Sequence, residues 1–175
     1  MRRYFVVRRL LLAIVATALV AGAAGAKGPP EPEPIYDIKT YGGNSCHAYY
    51  GNDVGHFMWA AKGIKNVSST LHWSVMCPIV TDNYRGTDLY QVSVVIQKPA
   101  GSSCCCELSS LDPYGTEVAI EVHCFDQDAE FDSATLGIDM PKASGGYYAL
   151  NCGLPPRGWL LKYQVVERYP TDNDN

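Results

Sequence analysis

The chain has 175 residues, of which 47% are hydrophobic, 11% aromatic and 18% charged, and its formal net charge is −4 at pH 7. This length favours one domain of ordinary size, and the high apolar content with few charges excludes a chain that stays unfolded. The acidic balance argues against nucleic acid as a partner, because such a charge distribution repels a polyanion.

The first 26 residues have the organisation of an export signal. Four arginines lie among the first nine residues, an apolar run follows at 10–24, and residues 24–26 (AGA) match the small-x-small form of a signal peptidase site. The run is shorter than the ~20 residues that span a bilayer, so we expect cleavage and no membrane span in the mature protein. The predicted location is secreted, either extracellular or periplasmic. Cleavage removes four of the 14 basic residues and none of the 18 acidic ones, so the net charge becomes −8.

Proline and polar residues mark both ends of the predicted folded unit. Residues 27–35 form a linker whose first eight residues, KGPPEPEP, contain four prolines and exclude a helix or a central strand. Residues 170–175 are small, polar and acidic, which is typical of a disordered tail. The predicted domain therefore covers residues 36–169.

Within this domain, β-branched and aromatic residues cluster in short runs separated by turn residues, and no stretch has a 3.6-residue apolar period. The pattern predicts an all-β fold, an antiparallel β-sandwich of jelly-roll or immunoglobulin-like type. Residues 112–115 (DPYG) predict a hairpin turn, because proline restricts φ and glycine closes the turn. The predicted strands are 57–64, 71–80, 89–97, 104–111, 116–125, 134–139, 146–152 and 159–167.

Four segments carry a resemblance to known proteins: CHAYYG at 46–51, WSVMCPIVTD at 73–82, CELSSLD at 106–112 and GGYYALNCGL at 145–154. Together they resemble a group of small secreted bacterial proteins, known mainly as uncharacterised open reading frames, that combine a signal peptide with a four-cysteine β-rich domain. The resemblance implies disulfides between Cys46 and Cys77 and between Cys106 and Cys152. It implies no particular activity.

The other three cysteines, Cys104, Cys105 and Cys124, depart from that pattern. All seven cysteines follow the export signal, in a compartment that favours disulfides, and an odd number leaves at least one without an internal partner. The predicted hairpin brings Cys124 opposite Cys104 or Cys105, according to the register. The thiol left over is a candidate for covalent dimerisation. A metal site at 104–106 is disfavoured, because metal knuckles use spaced cysteines.

The sequence has no catalytic signature. None of the four histidines has the H-E-x-x-H spacing, and neither G-x-S-x-G nor a glycine-rich phosphate loop is present. We therefore expect no enzyme activity and no obligatory cofactor. The acidic loop around Asp126 and Asp128 offers the hard oxygen ligands that Ca²⁺ prefers, although it lacks the central glycine and terminal glutamate of a helix-flanked calcium loop.

Aromatic side chains are the candidate ligand-binding groups, because amphipathic rings serve well on binding surfaces. The alternative is that these rings fill the core between the sheets. The sequence favours a secreted, non-catalytic binding module for extracellular carbohydrate or a cell-surface ligand, with a structural or envelope-associated protein as the alternative. The candidate residues are Trp59, Trp73, Tyr50 and Tyr84.

Overall fold

The computed structural model describes residues 33–82, 88–137, 140–142 and 144–169. The predicted signal peptide, the predicted tail and Tyr84 lie outside these described residues, as does most of the predicted linker. Two short 3₁₀ helices are present, at Gly43–Ser45 and Gly51–His56. In chain order the strands are β1 Ile35–Gly42, β2 His47–Ala48, β3 Phe57–Ala60, β4 Gly63–Asn66, β5 Trp73–Pro78, β6 Asp88–Gln97, β7 Cys105–Leu111, β8 Glu117–Cys124, β9 Phe131–Leu136, β10 Tyr147–Leu154 and β11 Trp159–Tyr169.

The strands form two antiparallel sheets. Sheet A has six strands in the order β3-β4-β11-β6-β9, with β1 also paired to β11, and sheet B has five strands in the order β2-β5-β10-β7-β8. Every strand pair is antiparallel. The predicted disulfide-stabilised, antiparallel β-sandwich is thereby confirmed.

One hydrophobic core joins the two sheets. Sheet A contributes Val94, Ile96 and Leu160, and sheet B contributes Leu108 and Leu150; all five are fully buried. Burial alternates along β10, as expected for a strand with one face on the core and the other toward solvent. Each buried aliphatic side chain contributes roughly 1.5–3 kcal/mol of transfer free energy, so the alternation itself drives the two sheets together.

The structure corrects two strand predictions. The single strand predicted at 57–64 is the hairpin of β3 and β4, which turns at Gly63 with φ of 145°. That φ favours glycine, and a Cβ there would collide with the Leu160 carbonyl. Strand β1 was not predicted, and it begins at Ile35, inside the predicted linker. It pairs with β11 over eight positions.

Three disulfides connect the strands: Cys46–Cys77, Cys105–Cys124 and Cys106–Cys152. The first and third are the pairs that the resemblance implies, and the second is one of the two alternatives left open by the sequence. Both cross-strand bridges join directly opposite residues, with Cα–Cα distances of 4.0 Å for Cys105–Cys124 and 4.1 Å for Cys106–Cys152.

The remaining cysteine, Cys104, is free and only 2% exposed. The structure does not support the predicted covalent dimer, because the Cys105 sulfur is already bonded and the Cys104 thiol is buried. Within the described ranges, no helix has the length and hydrophobicity needed to cross a membrane.

Candidate functional site

Three exposed aromatic residues lie on segments at the edges of the two sheets, and we call them the aromatic surface: Tyr49, Tyr50 and Trp59. Trp59 lies on β3, the edge strand of sheet A. Its indole N–H donates to the carbonyl of Cys46 at 2.9 Å, just before β2 at the edge of sheet B. The two tyrosines directly follow β2. The aromatic surface therefore bridges the two sheets.

Covalent and backbone links hold this surface in place. Cys46 is bonded to Cys77 of β5, and the N–H of Tyr49 donates to the Ser74 carbonyl at 2.9 Å, also on β5. The rings of Tyr49 and Tyr50 meet edge to face, with centroids 4.7 Å apart. Loops so anchored present their side chains in a preformed arrangement, which lowers the entropic cost of binding.

The rings remain available to a ligand. Tyr50 is 64% exposed, Tyr49 44% and Trp59 40%. Because the Trp59 N–H is already satisfied by a backbone carbonyl, an apolar ring surface is what this residue offers to a partner. Exposed polar residues occupy the same segment of the chain: Asn44, His47 and Asn52.

Trp73 does not share this environment. It begins β5 and is only partly exposed, and its ring packs against the core. One face is covered by the His56 imidazole, which stacks on it at 4.0 Å with the ring planes 5° apart. Tyr50 and Trp59 are both exposed, and Trp59 is tied to the segment of Tyr50 through the Cys46 carbonyl, whereas Trp73 is a partly buried packing residue.

The carboxylates of the predicted calcium loop do not converge. Asp126 accepts the N–H of Asp128 at 2.9 Å, and Asp132 accepts the N–H of Asp126 at 3.1 Å. Among the described residues, the acidic ligand atoms that lie within 4.8 Å of one another belong to a different group. The loop is instead held by the Lys98 ammonium, which donates to the carbonyls of Gln127 at 3.0 Å and Ala129 at 2.8 Å. Calcium binding by Asp126 and Asp128 stays a prediction.

The converging acidic group surrounds a lysine near the end of β11. The Lys39 ammonium lies 3.3 Å from Asp37, 2.9 Å from Asp82 and within hydrogen-bonding distance of the fully buried Glu167. Burial lowers the pKa of Lys39, but the hydrogen bonds to Glu167 and Asp82 and the charge of Glu167 outweigh burial and raise it above its ordinary value. The ammonium fills the position that a metal ion would need, so we assign this cluster a structural role.

A pocket of about 210 Å³ opens near the other end of β11. Sequence reasoning missed it, because its residues come from three separate segments of the chain. The signal available in the sequence was Arg157, which occupies a turn position where glycine is usual. The lining residues are Gln97, Lys98, Pro99, Glu130, Arg157 and Trp159.

Fold and sites together define a disulfide-stabilised β-sandwich with an exposed aromatic surface and a polar pocket. No protein-family model matches the chain, and no curated protein sequence matches it. Among solved structures it is similar to the family 11 carbohydrate-binding module of the cellulosomal cellulase Lic26A-Cel5E of Clostridium thermocellum. The sequences are 10% identical, 81% of this chain and 91% of that chain are covered, and the TM-score is 0.35. At this TM-score the likeness implies neither a shared ligand nor a shared site.

Proposed function

We propose that this protein is an extracellular, non-catalytic binding module that binds carbohydrate through the aromatic surface. The observation that supports this is the anchored exposure of Tyr50 and Trp59. The exposed part of each ring is apolar area that a ligand could remove from water, and such burial is favourable. Rings held outward by a disulfide and by backbone hydrogen bonds are well suited to a partner that covers them.

The chemistry of the aromatic surface suits a sugar. The C–H face of a pyranose is apolar and packs on an aromatic ring, while its rim of hydroxyls needs hydrogen-bonding partners. Asn44 and Asn52 lie in the same anchored segment and carry amides that both donate and accept. A ring platform flanked by amides therefore favours an uncharged polysaccharide chain.

The disulfides support an extracellular or periplasmic location. Six of the seven cysteines are paired, and stable disulfides are formed and kept in oxidising compartments. Together with the predicted export signal at residues 1–26, this supports a secreted protein that meets its ligand outside the cell or in the periplasm.

The proposal is tested by titrating the oxidised mature protein with soluble neutral polysaccharides while recording tryptophan fluorescence, with and without Ca²⁺. We expect a saturable change that is lost in Trp59→Phe and at least tenfold weaker binding in Tyr50→Ala. Tyr114→Ala is the matched control, because Tyr114 is 93% exposed in the turn between β7 and β8. Equal binding by Tyr50→Ala, or no response to any glycan, would overturn the proposal.

One observation favours the structural alternative. Strand β8 ends the strand order of sheet B, and its Val118, Ile120 and Val122 are all about half exposed. An aliphatic stripe on an edge strand is a surface for association. If the protein is a structural component, sedimentation should show concentration-dependent self-association that Val122→Lys abolishes and Val67→Lys, at a comparably exposed site, leaves intact.

A further inference from the structure

The pocket beside Trp159 has the character of an anion site on an otherwise acidic chain. We propose that it binds a uronic acid residue, a pyranose that carries a carboxylate. Its lining shares no residue with the aromatic surface, so the inference does not rest on the proposed function.

Lys98 places a buried positive charge at this pocket. Lys98 lines the pocket and is only 2% exposed, and its ammonium donates to two neutral carbonyls, those of Gln127 and Ala129. Within the described part of the chain, every ion pair at or below 4.0 Å involves Lys39, and none involves Lys98. A buried charge without a counterion is costly, so a site next to it favours a bound anion.

Other cations gather around the same pocket. The Lys62 ammonium lies 4.1 Å from the centroid of the Trp159 ring and the Lys65 ammonium lies 5.3 Å from it. Lys62 also donates to the Gln97 side chain at 3.4 Å. Among the lining residues themselves, two are cationic, Lys98 and Arg157, and one carries a carboxylate, Glu130. Such a local excess attracts an anion despite the acidic net charge.

Arg157 occupies its position at a conformational cost. Its φ is 62°, and the N–H of Gly158 donates to the Pro155 carbonyl at 2.9 Å, which closes the turn between β10 and β11. Pro156 followed by a residue with positive φ matches a type II turn, whose third position favours glycine. Gly158 has a packing reason to be glycine, because a Cβ there would lie 2.8 Å from Pro155. Arg157 has no such reason, and strain of this kind is concentrated at ligand clamps.

The remaining lining groups indicate a sugar acid rather than a bare anion. Trp159 and Pro99 supply apolar walls, the Gln97 amide donates and accepts, and the Glu130 carboxylate accepts from hydroxyls. The volume is below the ~300–1,000 Å³ of pockets for drug-sized ligands, so it suits a single ring. In the proposed complex the uronate carboxylate pairs with the Arg157 guanidinium through charge-assisted hydrogen bonds, and the sugar hydroxyls bond to Gln97 and Glu130.

The experiment follows the three tryptophan indole signals in ¹H–¹⁵N spectra of the oxidised mature protein, assigned by Trp→Phe variants. Sodium galacturonate and glucuronate are the probes, with galactose, glucose and sodium acetate as controls at equal concentration. We expect the uronates alone to shift the Trp159 signal saturably, with a dissociation constant that increases at least severalfold from about 0.05 M to about 0.5 M NaCl. A shift of equal size with acetate or with the neutral sugars overturns the proposal.

Arg157→Gly separates binding from folding. Glycine adopts positive φ freely, so the variant should unfold at the same or a higher denaturant concentration while binding the uronates at least tenfold more weakly. Lys162→Met, at an exposed position further along β11, is the control and should bind like the wild type. Wild-type affinity in Arg157→Gly would overturn the assignment. Tyr50→Ala should leave uronate binding unchanged, which keeps this test independent of the aromatic surface.

Discussion

Two lysines of low exposure lie near opposite ends of β11, and they differ in whether carboxylates surround them. Near its last residues, Lys39 is surrounded by the carboxylates of Asp37, Asp82 and Glu167. Near its first residue, Lys98 donates to two backbone carbonyls and has no carboxylate partner among the described residues. One charge is compensated within the chain, and the other is left for a ligand to compensate. A cation of low exposure therefore indicates a binding site only when its counterion is missing.

The largest expected effect comes from removing the compensated charge. Lys39→Met removes the ammonium that pairs with the fully buried Glu167 and with Asp37 and Asp82. Breaking a buried pair in this way costs about 3 kcal/mol or more in the free energy of unfolding. Urea denaturation at neutral pH measures the loss, and Lys162→Met should change it by less than about 0.5 kcal/mol. A loss as small as that control's would mean that the cluster is not stabilising.

Alkaline pH should reproduce part of that effect. The pKa of Lys39 is raised in the folded protein above its unfolded value of about 10.4, so its contribution is complete below that pH and is lost as pH rises through the folded pKa. The stability difference between wild type and Lys39→Met should therefore narrow above about pH 10.4, by roughly 1 kcal/mol per pH unit. Denaturation series at several pH values check this, and a constant difference would contradict it.

Removing the charge of Lys98, which has no counterion, should lower the free energy of unfolding by less. Lys98→Met loses two hydrogen bonds to the loop that contains Gln127 and Ala129, but it also removes a buried charge that no counterion offsets. We expect a loss of about 1 kcal/mol in the same urea assay, well below that of Lys39→Met. If both variants lose equal stability, the distinction between the two lysines fails.

The smallest expected effect is on the ionisation and reactivity of the Cys104 thiol, which the charge of Lys98 influences. Burial raises the pKa of Cys104 to about 12, and the charge of Lys98 acts in the opposite direction. The folded protein should therefore resist a thiol reagent at about pH 8 and expose one thiol when unfolded in denaturant. In Lys98→Met the thiolate should appear at a higher pH than in the wild type, as measured by ultraviolet absorbance. Rapid labelling of the native protein would contradict the buried position.

Much of the fold was predictable from local pattern. Short β-branched and aromatic runs separated by turn residues predicted the sandwich, and DPYG predicted the hairpin whose Gly115 N–H donates to the Asp112 carbonyl at 3.0 Å. Strand β1 was missed because it begins directly after Pro34, at the end of the predicted linker, although its eight residues contain no proline. The β3–β4 turn was missed because Gly63 is required there by the proximity of Leu160, a residue about a hundred positions away.

The candidate sites were predictable only in part. Tyr50 and Trp59 were identified by residue type, and their joint exposure depends on Cys46 and its bond to Cys77. Trp73 is also a tryptophan, but its ring is partly buried, because its strand places the ring against the core, where it stacks on His56. Residue type therefore selects candidates, and position in the sheet decides among them, since Trp59 lies on an edge strand and Trp73 on an inner one.

Local residue pattern predicts the all-β class, because short β-branched and aromatic runs bounded by turn residues favour strands. The groups that meet in space are set by the packing of the whole chain. Lys39 pairs with a glutamate 128 residues away, and the pocket joins Lys98, Glu130 and Arg157 from separate strands and loops. The physical reason is that a strand's pattern specifies its faces but not its neighbours, since antiparallel pairing is decided by the packing of the whole chain.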